Sequence, residues 1–421
     1  MRKVLLLSGA FMFLVLMPVL VPFYQSHGLS MAEVFQVQTI YAIAMVLFEV
    51  PSGYASDLLG RKRCLVLASA CYGAAFTWLA VSTGYWDFAG FALLSAFATS
   101  LRSGTDVALL YDSLEAQGEA AELGSHVLGR RLFWSQSGET SAAFVATAAV
   151  AIGGLALPPI VNAVTSWAPL LISLTLVEPP RAKLGSGHGE NLRLIVRKLF
   201  LETPRVRQVL LTLIAYGLAT LLAVWSVQDY WRVLKIPLEW FGLLWAGYNL
   251  LVALAGRAAT RARSAWGARR VVLLIGVLPV LGYLGFAACA PGGLAQVGAF
   301  RAALAGVPAG VWVAGGVLSG CLFQFSRGLT QVVLRDELNQ RVDASFRATA
   351  NSVSSLGVRL AFAGFGPLLG FWIDGYGHAL AFVGFAAIFL VIGLVFALPL
   401  ALRLGREVPE RQEPEGGSLG L

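Results

Sequence analysis

Apolar residues run through this chain in blocks of about twenty, separated by short polar and basic segments. Taken in order, the blocks predict twelve helices, over residues 4–24, 34–56, 64–82, 88–111, 132–152, 155–177, 209–231, 240–259, 271–289, 306–333, 348–373 and 379–402. A helix needs about 20 residues to cross a hydrocarbon layer, so each block is long enough for one membrane passage. The stretch Ala290 to Ala305 is Gly- and Ala-rich throughout, which blurs the facing ends of the ninth and tenth blocks.

Composition fits this pattern. Of 421 residues, 57% are hydrophobic and 13% charged, with a mean hydropathy of +0.73. A soluble domain carries about 25% charged residues, so this is an integral, all-α membrane protein. Met1-Arg2-Lys3 before Val4–Tyr24 imitates a secretory signal. The run is long, though, contains Pro18 and Pro22, has no Ala-x-Ala exit and precedes many more spans, so it is expected to stay as a first helix. Cys64, Cys71, Cys289 and Cys321 are scattered and form no CxxC pair, which leaves no disulfide framework or metal site to expect. The net charge of +8 does not point to nucleic acid, because the basic residues lie in short turns between spans.

Lysine and arginine placement orients the bundle. With a cytoplasmic N terminus, 25 of the 31 fall on the inside and only Arg232, Lys235 and Arg301 outside. Arg102, Arg327 and Arg359 lie within spans. Both termini are therefore expected in the cytoplasm, in a multi-pass protein of the cell membrane. A reporter fused after Leu421 should be cytoplasmic and one inserted at His27 or Gly84 external. A C terminus found outside would mean an odd number of spans.

The longest polar connection follows the sixth block. It divides the chain into a six-helix half at 1–178, a linker at 179–208, a second half at 209–402 and a tail at 403–421. Within the linker, Leu192, Ile195, Val196, Leu199 and Phe200 share one helical face, as in a helix lying on the membrane surface or packed on the bundle. The glycines of Gly185-Ser186-Gly187-His188-Gly189 follow no strand and read as a flexible connection. The halves echo one another. Gly104, Leu110, Asp112 and Leu114 at the end of the fourth block recur as Gly328, Leu334, Asp336 and Leu338 at the end of the tenth, at a constant offset. Ser264-Ala265-Trp266-Gly267-Ala268-Arg269-Arg270 weakly repeats the turn between the second and third.

That turn, Gly53-Tyr54-Ala55-Ser56-Asp57-Leu58-Leu59-Gly60-Arg61-Lys62-Arg63, is the most specific feature of the chain. Gly53 would let a helix end lie against a neighbour, and Gly60 would permit a tight turn. Asp57 would offer a carboxylate to helix N–H groups. The basic trio would hold the turn inside. The element resembles the Gly-x-x-x-Asp-Arg-x-Gly-Arg-Arg/Lys loop of the major facilitator superfamily between helices two and three. Gly53, Asp57, Gly60, Arg61 and Lys62 fit, while Leu58 stands where a basic residue is usual. The resemblance implies two pseudo-symmetric halves of six helices, with substrate bound between them near the midplane. It also implies that the loop acts as a gate, Asp57 meeting the start of helix eleven near Arg347–Asn351. Gly366-Pro367-Leu368-Leu369-Gly370, similar to an element that exporters of the superfamily carry in helix five, stands here in helix eleven.

Glu49, Arg102, Asp106, Glu139, Arg327 and Arg359 lie well within predicted spans. Each would cost about 2.5–3.5 kcal/mol facing lipid, so all six are expected to face the bundle or a wet cavity. Glu49 is expected to brace the gate region, in a structural role shared with Asp112 and Asp336. Arg102 and Asp106, four apart on one helix, are expected to pair and line the site. Arg102 beside Gly104 also resembles the helix-four arginine of proton-coupled members. Glu139, in the small polar setting Ser137-Gly138-Glu139-Thr140-Ser141, is the expected proton carrier. Arg327 and Arg359 have no acid at their depth in their own half and need partners from the first half, or an anionic substrate.

The function these features imply is alternating-access transport of a small organic solute, coupled to protons and directed outward, by a monomer with no cofactor. The rival is transport of an organic anion held by Arg102, Arg327 and Arg359. A membrane enzyme finds no HExxH, GxSxG or P-loop to rest on, and a sensor would be expected to append a soluble domain.

Overall fold

A computed structural model describes residues 1–116, 120–178, 203–293, 306–342 and 346–404, apart from the side chains of residues 50, 57, 120–126, 128 and 348. The amphipathic linker segment and the tail lie outside the described residues. The described residues form fifteen α-helices and no strand. The first half comprises α1 (Arg2–Phe11), α2 (Leu20–Ser26), α3 (Met31–Leu59), α4 (Arg61–Val81), α5 (Tyr85–Arg102), α6 (Thr105–Glu115), α7 (Ala120–Gly153), α8 (Leu157–Thr165) and α9 (Ala168–Leu174). The second comprises α10 (Pro204–Val233), α11 (Glu239–Cys289), α12 (Ala309–Leu329), α13 (Arg335–Arg341), α14 (Arg347–Ile392) and α15 (Leu398–Leu404).

Seven helical stretches of the described chain are long and apolar enough to cross a membrane. Three of these (129–174, 239–289 and 349–404) run through two of the predicted spans each. In α11 and α14 the division falls at Gly267 and Gly377, where φ is positive and the chain turns back. The first and fourth spans are interrupted helices, so the described helices accommodate the twelve expected passages.

The first span breaks where its prolines dictate. After Phe11 the chain leaves helical geometry, and a short 3-10 turn at Met17–Val19, with Pro18 in its middle, leads into α2. Non-helical backbone at membrane depth survives only where protein supplies the missing hydrogen bonds. Here Leu16 N–H donates to Asn162 Oδ1 at 3.1 Å. The Gln228 amide, from the other half, accepts from Val21 N–H at 3.0 Å and donates to the Met17 carbonyl at 2.9 Å.

Large apolar side chains such as Leu47, Val81, Ile152 and Leu318 remain exposed on the perimeter, as lipid-facing positions must. The halves pack chiefly through α3 on α14 and α7 on α11, with α2 on α10 and the Met17–Val19 turn on α11 adding to the contact. Because spans alternate in direction, Met1 and the Gly60 turn lie at one end of the bundle, called here the basic end. His27 and the Gly377 turn lie at the opposite end.

Candidate functional site

The second interrupted span places the charges of the first half. Ser103 and Gly104 separate α5 from α6, with Gly104 at φ +76°. Arg102 therefore ends one helix while Asp106 opens the next, and the expected Arg102–Asp106 pair does not form. Buried Asp106 instead accepts from Arg131 of α7, at 2.6 Å from Nη2 and 3.1 Å from Nε. Its place in the first turn of α6 also suits a negative charge. The Arg102 guanidinium lies over the Phe11 ring, 4.8 Å from its centroid, beside the break in the first span. Glu49 of α3 reaches the break between α5 and α6, where it accepts from the Ser103 hydroxyl at 3.3 Å.

Glu139 is the one described carboxylate at mid-span that the other half holds. Its Oε1 accepts from Trp245 Nε1 at 3.2 Å and from Asn249 Nδ2 at 2.9 Å, both on α11. It also lies within electrostatic reach of Arg327. The glutamate thus belongs to α7 while its bonding partners belong to the second half.

Arg327 lines a cavity of about 320 Å³ in the second half, together with Arg335, Arg359 and several hydroxyl and amide side chains. Arg359 also places its guanidinium 6.0 Å from the centroid of Tyr41, on α3 of the first half. Arg335 had been expected beyond the end of its span. The helix instead continues past residue 333 through a π-turn at Thr330–Leu334 into α13, which carries Arg335 to the cavity wall. The repeat gave the available signal, because its matches run on to Leu338.

At the basic end, Gly60 adopts φ +101° between α3 and α4. The N terminus of α4 is met by Glu178, a residue the sequence did not single out, whose carboxylate accepts from Arg61 N–H at 2.7 Å and Lys62 N–H at 3.4 Å. The Asp57 side chain lies outside the described residues, and so does its expected contact with helix eleven. Gly53 faces open space with no neighbour within 4 Å, so it makes no close helix contact in this conformation, contrary to expectation. Asp112 accepts from Arg61 at 3.4 Å, and Asp336 from Arg263 at 2.5 Å. Buried Glu337 accepts from Arg263 at 3.0 Å and also pairs with Arg341. These bonds tie each half to itself.

Among the described residues, hydrogen bonds between the halves concentrate toward the opposite end. Asp229 of α10 accepts from Gln25 at 2.7 Å and sits 2.7 Å from His378 Nε2. Asp374 accepts from Met31 and Ala32 N–H at 3.1 and 2.7 Å. It thus supplies a carboxylate to the start of α3, beside the Ser30–Glu33 capping box.

Two packed helical bundles, with a carboxylate of one held by the other and a cationic cavity nearby, agree with what sequence comparison finds. A family model described as Major Facilitator Superfamily matches residues 4–334. The chain belongs to the Major Facilitator Superfamily. Solved structures of similar fold include the nucleoside transporter NupG, with TM-score 0.74 and 15% identity over 97% of this chain and 100% of that one. A D-xylose-proton symporter aligns with TM-score 0.68 and 13% identity, over 97% of both chains. A bacterial homologue of the human lysosomal transporter Spinster, inward-facing and unoccupied, aligns with TM-score 0.69 and 15% identity, again over 97% of both. Among curated proteins, none matches the sequence. At such identities these likenesses establish the fold of this superfamily member and leave its substrate to its own residues.

Membership gives the Gly60 turn a testable weight. A Cβ on Gly60 would lie 2.7 Å from Glu178 Oε2, on backbone with φ +101° and ψ 147° that essentially only glycine adopts. Strain of about 1–3 kcal/mol is expected there. Gly60→Leu should leave membrane insertion intact and slow transport on the order of tenfold, measured in reconstituted vesicles. Asp57→Asn should slow it similarly if the loop gates. Normal rates in both variants would reduce this turn to a topological anchor.

Proposed function

We propose that this member of the superfamily is a proton-coupled secondary transporter of a small organic solute, working by alternating access, with Glu139 as the proton carrier. The observation that carries this reading is the position of Glu139: it sits on α7, while Trp245, Asn249 and Arg327 lie across the divide. When the halves rock, these distances change together, and so does the proton affinity of the carboxylate. Asp106 is less suited, because Arg131 holds it from within its own half.

In this reading the basic end is cytoplasmic, following the lysine and arginine bias, and the opposite end is external. The conformation is then closed to the outside. Direction follows from what the solute does to Arg327. A solute that displaces the proton gives the export expected from the sequence. A negative solute that takes Arg327 away from Glu139 favours protonation of Glu139, and solute and proton then move together. The cationic cavity supports the second arrangement.

The experiment is solute uptake into proteoliposomes with and without a pH gradient, with internal pH followed by a trapped dye. Solute-dependent proton movement in the same direction as the solute supports symport, and opposite movement supports export. No proton movement with a transported solute would remove Glu139 from its role.

A further inference from the structure

We propose that the cavity in the second half is an oxyanion site built from Arg327, Arg335 and Arg359, and that the solute carries a phosphoryl group or two carboxylates. This deepens the transporter reading and rests on it.

Three arginines line one cavity of about 320 Å³, and among the described residues its lining includes no carboxylate. None of the three forms an ion pair among the described residues; Arg359 meets only the face of Tyr41, and Arg327 senses Glu139 from across the divide. Like charges gathered around one cavity repel one another. Natural sequences place such residues where a counter-charge arrives. Arginine's planar fork suits phosphate and carboxylate oxygens, and two or three forks can share one dianion.

Backbone geometry supplies a second, independent indication. Arg327, Gln331 and Arg335 are spaced by four and share one face. Between the arginines the helix widens into the π-turn Thr330–Leu334, a feature frequent at functional sites. Thr330 is one of the residues lining the same cavity, and its hydroxyl is buried with no hydrogen-bond partner among the described residues. A buried hydroxyl without a partner is costly unless something fills the space beside it. Buried Ser354 of α14 lines the cavity as well. Cations and hydroxyls together fit an oxyanion better than a neutral sugar or a cationic drug.

The test uses purified full-length protein in detergent, unfolded thermally in potassium phosphate, sodium succinate or potassium chloride at equal ionic strength. Phosphate or succinate should raise the unfolding temperature above that in chloride; phosphate alone would assign a phosphoryl group, succinate alone a dicarboxylate. In Arg335→Gln and Arg359→Gln the apparent affinity for the effective anion should fall about tenfold or more, as expected for loss of a charge-assisted bond. In chloride the same variants should unfold no lower than the parent, because each removes one of three repelling cations. Equal unfolding temperatures in all three salts, or variants already destabilised in chloride, would make these arginines structural and overturn the proposal. Proteoliposomes separate this failure from failure of the transporter reading. Proton-coupled movement of glycerol or glucose, with no response to glycerol 3-phosphate or succinate, would sink the anion site and leave the transporter standing. Anion stabilisation without movement of any of the four would instead sink the transporter reading.

Discussion

Glu139→Gln is expected to abolish pH-gradient-driven accumulation while solute binding and exchange across the membrane persist. Glutamine keeps the shape of the side chain and an oxygen that accepts from Trp245 and Asn249, so the α7–α11 contact should survive. It cannot take up and release a proton. The coupled step is lost, and the solute should level off at equal concentrations instead of being driven uphill. Counterflow needs both access states and no net proton movement, so it should continue near the parent rate. Asp106→Asn is the control with the opposite signature. It weakens the bond to Arg131 inside the first half, so it should lower the amount of folded protein more than it alters coupling. Uphill transport by Glu139→Gln, with its loss in Asp106→Asn, would exchange the two assignments.

The helical, membrane-spanning character was legible because membrane passage demands about twenty apolar residues, and that demand is written locally. The turns at Gly60 and Gly267 were likewise visible as glycines between apolar blocks, and both have positive φ, as does Gly377 between the last two blocks. What was not legible depended on helix breaks and on contacts distant in sequence. Spacing by four made Arg102 and Asp106 neighbours only if the helix continued through Gly104; at φ +76° it does not, and Arg131, 25 residues on, takes the carboxylate. The end of the tenth span was set where hydropathy falls, which left Arg335 outside, whereas a π-turn carries the helix on to Arg341. Glu178 sits at the edge of the first half and meets α4 only once six spans are assembled. The Gly-Pro-x-x-Gly element in the second half holds Gly370 at a point where the halves come into close contact, near Ala32.

That contact gives the second large effect. Gly370→Leu is expected to stop transport while the protein still inserts and folds. A Cβ on Gly370 would lie 2.6 Å from Ala32 Cα and 2.7 Å from the Met31 carbonyl, both backbone atoms of α3 that no rotamer change can move aside. Gly242 faces the Ala143 carbonyl and Thr147 of α7 in the same manner, so Gly242→Leu should act alike. Both glycines lie on surfaces that belong to different halves. A side chain there opposes only the conformation in which those surfaces touch. Overpacking of this kind costs about 1–3 kcal/mol, which moves a two-state ratio about 5- to 150-fold. The population should shift toward the state that is open at the His27 end. Phe35 reports that shift, since it is fully buried against Phe362 across the same contact. In a background without the four native cysteines, Phe35→Cys should be protected from a membrane-impermeant maleimide and become reactive once Gly370→Leu is added. Unchanged protection together with normal transport would mean that this contact does not open during the cycle, and that alternating access, if it occurs, pivots elsewhere.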